Sequence, residues 1–129
     1  MREDEKPGIL ERSKLFALRI IHLYSSLPKT TEAQVIGKQL LRSGTSAGAQ
    51  IREGKRSRSD AEMISKTESA LQELEETLYW LELLEQAEIV TREGVADLIE
   101  EANQLAAIFV AGVKTLKARR QKKAVMNDA

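Results

Sequence analysis

From Ile64 to Leu81 the chain holds to one spacing: Ile64, Thr67, Leu71, Leu74, Leu78 and Leu81 follow one another in alternating steps of three and four. Only an α-helix puts such positions on one face, and the alternation is the heptad seam of helices that pack side by side. A second run repeats it: Val95, Leu98, Ala102, Leu105, Phe109, Gly112 and Leu116. Each seam is too apolar to leave in water and too narrow to form a core alone, so the two require each other and further helices. Two prolines and 4% aromatic residues leave little material for a β-sandwich.

Punctuation around the seams predicts helices over about residues 12–27, 31–53, 59–86 and 91–120. In the first, Phe16, Ile20, Leu23, Tyr24 and Leu27 share a face, and Pro28 ends it. The second opens on Thr31 and Gln34 at capping-box spacing, carries Ile36, Leu40, Leu41 and Ala47, and meets a stop at Gly54. Ser59 with Glu62 caps the third, and Thr91 precedes the fourth, whose last turns are crowded with lysine and arginine. Residues Ala124 to Ala129 are expected to fray. Short connections force neighbouring helices antiparallel. The expected fold is all-α, an up-down-up-down antiparallel four-helix bundle forming a single domain over residues 1–129.

Much chemistry is excluded. With no cysteine there is no disulfide, thiolate metal site or thiol nucleophile. The single histidine, His22, has Arg19 three residues before it, so the Glu-x-x-His pairs of di-iron bundles are missing, and a histidine-based triad has no second partner. No catalytic residue, metal ligand or cofactor site is expected, and the chain reads as a non-enzyme. Met1 to Pro7 is charged, and the longest apolar stretch, Leu105 to Val113, is nine residues. Neither a signal peptide nor a membrane span is therefore expected, and the location expected is cytoplasmic.

The net charge of zero conceals a segregation. From Asp60 to Glu101 there are 13 acids against two bases, Lys66 and Arg92, whereas the rest of the chain holds 18 bases and 7 acids. Glu68, Glu75 and Glu82 repeat every seven residues and form a stripe that would suit a metal or a basic partner, or simply a solvated face. The bases fall in two clusters, Arg52, Lys55, Arg56 and Arg58, then Lys114, Lys117, Arg119, Arg120, Lys122 and Lys123. In the expected bundle both lie at one pole. They form either a phosphate-binding surface, or dipole complements that also aid solubility. No aromatic residue interleaves with them, so no stacking platform for bases is expected.

Two further features point to close packing. Gly37, Gly44 and Gly48 fall on nearly one face of the second helix, where each costs about 1 kcal/mol against alanine. A close helix–helix approach offsets that cost, unless the helix is locally bent. Off the third helix's seam, Tyr79, Trp80, Leu83 and Leu84 make its end apolar nearly all round, and Leu18 and Ile21 do the same on the first. Such surface marks a subunit interface, or else is covered by a loop or terminus. The candidate interface residues are thus Leu18, Ile21, Gly44, Gly48, Tyr79, Trp80, Leu83 and Leu84.

Two blocks carry a family resemblance. The segment Gln39-Leu40-Leu41-Arg42-Ser43-Gly44-Thr45-Ser46-Ala47-Gly48-Ala49-Gln50-Ile51-Arg52-Glu53-Gly54, with Arg56 and Ser59, is similar to the central run of bacterial 23S rRNA intervening-sequence proteins. The segment Ser69-Ala70-Leu71-Gln72-Glu73-Leu74-Glu75, with Leu78, resembles their Gly-Ser-x-x-Glu-Leu-Glu block. The chain departs from the pattern at Gln50, where asparagine is usual, and at Ser69-Ala70, which replaces Gly-Ser. The resemblance implies a four-helix bundle that assembles into a homo-oligomeric ring, typically a pentamer, with RNA or a ribonucleoprotein as partner. A related branch, the accessory variability determinant of diversity-generating retroelements, implies the alternative of a protein that binds reverse transcriptase and nucleic acid, RNA or DNA. In either case Arg52, Lys55, Arg56, Arg58, Lys117, Arg119, Arg120, Lys122 and Lys123 are the candidate nucleic-acid contacts.

Overall fold

The computed structural model describes residues 7–128. It consists of four helices, α1 (Ile9–Ser26), α2 (Thr31–Lys55), α3 (Asp60–Gln86) and α4 (Arg92–Asp128), with no strand among the described residues. Each helix packs on its sequence neighbour, and α4 returns against α1. The α1–α2 contacts run in opposite senses: Leu27 and Tyr24 lie on Gly37, Ile20 on Gly44, and Ser13 on Gly48.

Local chemistry sets the ends. Thr30, not Thr31, caps α2, its side chain accepting from the Ala33 N–H at 3.3 Å. Gln34 is thereby free to donate to the Pro28 carbonyl at 2.8 Å and accept from the Tyr24 hydroxyl at 3.2 Å, tying α2 back to α1. Ser59 caps α3, accepting from the Glu62 N–H at 3.1 Å. Gly54 is no stop: it is helical and buried, and a Cβ there would stand 3.1 Å from Lys66 Cβ, so its role is to let α3 approach. The one non-glycine residue with positive φ among those described is Glu88, at 61°, just past the end of α3.

The core departs from the predicted seams in an instructive way. On α2 the buried line is Ala33, Gly37, Leu40, Gly44, Ala47, Ile51 and Gly54, a complete three–four seam made mostly of residues with little or no side chain. On α3 Ala70 and Thr77 are buried, while Leu71 and Leu78 flank them half-buried. The glycines at 37, 44 and 48 admit α1 side chains, and Gly54 lets α3 approach. Thr77 donates to Ser43 Oγ at 2.8 Å inside this contact, so neither buried hydroxyl is left bare. On α4 the seam steps from Phe109 to Val113 rather than Gly112, the drift expected of a straight 3.6-residue helix against a 3.5-residue repeat.

α4 also runs to Asp128, past the predicted end near residue 120 and through the segment expected to fray. Lys, Arg, Ala, Gln and Met are strong helix formers, and no glycine or proline follows Gly112. Leu116 is the last residue of the helix to be buried, so Lys117 to Asp128 extend as a solvated arm.

Candidate nucleic-acid interface

All nine candidate bases are exposed. The close of α2, the turn into α3 and the far half of α4 gather at one pole, but the bases there divide. Arg58, Arg119, Arg120 and Lys123 line one open cleft of about 620 Å³ between the α2–α3 turn and the α4 arm. Arg52 belongs instead to a cleft between α1 and α2, with Lys14 and Glu53. Lys55 stands at the rim of a mainly apolar groove lined by Ile51, Met63 and Phe109. Arg56 caps α2 with its backbone N–H, and its side chain, like that of Lys122, points to solvent.

The sequence reading missed the acid at the centre of this surface. Asp60, in the first turn of α3, accepts a two-pronged guanidinium contact from Arg119, with Nη2 to Oδ1 at 2.5 Å and Nε to Oδ2 at 3.0 Å. Lys123 Nζ lies 3.8 Å from the same carboxylate. The Arg119 hydrogen bond holds the Asp60 carboxyl below the ordinary range. The group's partial desolvation opposes this, and the charges of Arg119, Lys123 and Arg120 add to it. The visible signal was Ser59-Asp60 at the head of a capped helix, where an acid suits the dipole.

Other acids are also occupied within the chain. Glu68 pairs with Lys117 at 3.6 Å, and Glu53 with Lys66 at 2.7 Å. Arg42 bridges Glu73 and Glu76 from α2. Of the stripe Glu68, Glu75 and Glu82, the last two are simply exposed. Among the described residues no three His, Cys, Asp or Glu side chains are grouped to hold a metal ion. Among the described residues no helix is long and apolar enough to cross a membrane.

The candidate interface residues separate in the same manner. Leu18 and Ile21 are 42% and 39% exposed, and Leu10 and Leu15 extend the same apolar strip of α1. Tyr79 is exposed, with its ring edge-on to Trp80. Trp80 and Leu83 are half-buried, Trp80 against the chain's own core. Leu84 and Gly44 have to be corrected, because both are buried within the chain and offer a neighbour no surface. At Gly44 a Cβ would fall 2.8 Å from Ile20, and at Gly48 it would lie 3.3 Å from the Ser13 carbonyl. The glycine face therefore serves the α1–α2 contact.

A family profile described as 23S rRNA-intervening sequence protein matches residues 5–111. The chain belongs to this family. A solved structure similar to this intervening-sequence protein comes from Bacteroides thetaiotaomicron VPI-5482, a protein of unknown function from the S23 ribosomal protein family. It is 39% identical, with a TM-score of 0.79, over 83% of this chain and 99% of that one. No curated protein matches the chain. The retroelement alternative finds no support in these comparisons. The two basic clusters differ in kind: Arg52 to Arg58 lie within the family match, whereas the arm lies beyond residue 111.

Proposed function

We propose that this protein is a non-enzymatic intervening-sequence protein that binds RNA or a ribonucleoprotein through its basic pole. In this reading the bundle is up-down-up-down and assembles into a homo-oligomeric ring of five subunits. The observation that carries the reading is the cleft where Arg58, Arg119, Arg120 and Lys123 converge from two segments far apart in sequence. Opposed cations with no stacking aromatic beside them suit a phosphate backbone better than a base edge. The exposed leucines and isoleucine on one side of α1, Leu10, Leu15, Leu18 and Ile21, support assembly, since large apolar side chains left in water favour a subunit contact. A ring with all subunits pointing one way would repeat the basic pole around one rim.

The test is a salt titration of RNA binding by the purified protein, together with light scattering. Binding should be only weakly sequence-specific and should fall steeply towards about 0.2 M salt. Absence of binding at about 50 mM salt would refute the RNA reading. Light scattering should give a multiple of 14.4 kDa, and a value near one subunit mass would refute the ring. Within a ring, the double change Leu18→Glu and Ile21→Glu should release folded monomers, because both side chains are exposed in the isolated chain.

A further inference from the structure

The arm beyond Leu116 buries no side chain: the packed half of α4 carries it over the α2–α3 turn, and its side-chain contacts there are ion pairs. The acid it meets there is Asp60, held by Arg119 and Lys123, while Arg58 and Arg120 line the same cleft and form no ion pair among the described residues. Resting on the reading of the basic pole above, we propose that this cleft is the groove for the RNA phosphate backbone and that Asp60 is its built-in competitor, a carboxylate that an incoming phosphate displaces from Arg119 and Lys123.

Four observations support this. The guanidinium of Arg119 is already presented as a two-pronged donor, and a phosphate accepts that fork as a carboxylate does. Arg119 and Lys123 remain 52% and 67% exposed, so their pairs with Asp60 are of the weak, solvent-screened kind that exchange readily. A phosphate entering here meets four cations, whereas Asp60 engages two of them. The lining offers Ser57 and Ser59 hydroxyls but no aromatic residue, and its apolar members are Ala61, Ala124 and Met63, the last half-buried against the chain's own core, so an acidic protein helix finds little to anchor on. Of the groove's residues, Arg58 and Asp60 lie within the family match and Arg119, Arg120 and Lys123 beyond it.

The experiment uses the full chain and a short fluorescent RNA hairpin, with affinity read by anisotropy at about 0.1 M salt. Asp60→Asn should tighten binding by about three- to tenfold, since the competitor is gone and both cations are free. Glu82→Gln makes the same change in net charge at the distant end of α3 and should move affinity by less than about twofold, its charge being screened. Adding Arg119→Gln to Asp60→Asn should erase the gain. Circular dichroism should show equal helix content throughout. If the wild type binds and Asp60→Asn binds no tighter, or if Glu82→Gln tightens binding equally, the competitor role of Asp60 is wrong and the basic pole stands. If poly-glutamate displaces the hairpin as well as unlabelled RNA does at equal charge, the assignment to RNA is overturned. If neither wild type nor Asp60→Asn binds at about 50 mM salt, this proposal and the functional reading fall together.

Discussion

α4 is one uninterrupted helix with two unlike halves. From Arg92 to Leu116 it sends Val95, Leu98, Ala102, Leu105, Phe109, Val113 and Leu116 into the core. From Lys117 to Asp128 it buries nothing. The first half is helical because burial rewards that conformation. The second continues because adding a residue to an existing helix is cheap, whereas starting one is not. A dozen such residues alone would be marginal in water. Periodicity therefore reports where packing stops, not where the helix stops, and the unpacked half is left free to present charge.

The sharpest break between the halves should come from truncation. Phe109→Ala removes a fully buried ring and should cost about 3–5 kcal/mol in urea unfolding, whereas Val125→Ala should stay within about 0.5 kcal/mol. Equal losses would mean the arm is packed after all.

Glycines extend the contrast from packed to open sites. Gly44→Ala should destabilise by about 1–3 kcal/mol although alanine is the better helix former, because its Cβ meets the branched Ile20 side chain at 2.8 Å. Gly112→Ala meets nothing within 4 Å and should stabilise by about 0.5–1 kcal/mol. Thermal melts that moved both variants in the same direction would contradict the close α1–α2 contact.

Replacing Arg119, Arg120, Lys122 and Lys123 with serine should leave the bundle folded, with only the small stability loss that follows from losing the exposed Asp60 pairs. The dependence of log affinity on log salt should become shallower by roughly 2–3 units. An unchanged slope would mean that these bases only complement the helix and keep the protein soluble.

The smallest effect concerns pH. The Asp60 carboxyl is held below its ordinary value of 3.8, so its stabilising pair is fully present above that value and is lost as pH falls through the depressed one. The stability difference between wild type and Asp60→Asn should therefore be visible near neutrality and shrink as the pH falls below 3.8 and through the depressed value. A difference that persists in acid would assign the effect of the substitution to something other than the carboxylate charge.

Helix number, the starts of α3 and α4 and the stop of α1 follow from local chemistry: Ser59 with Glu62, Thr91, Pro28, and apolar periods on α1, α3 and α4, whereas α1 begins at Ile9, ahead of the expected residue 12. Those signals act within a turn or two of the chain, so they can be read in one dimension. The seam of α2 was harder, because glycine and alanine do not register as apolar residues until a neighbouring backbone approaches them. Ala70 and Thr77 displaced Leu71 and Leu78 from the centre of α3, and for Thr77 the reason is tertiary: its buried hydroxyl finds Ser43 on α2. At the basic pole, composition showed the cations, but not that Asp60, some 59 residues before Arg119, would sit among them. Which charges cancel, and which stay free to meet a partner, depends on distances between segments remote in sequence, and those distances are set by the packing of the helices that carry them.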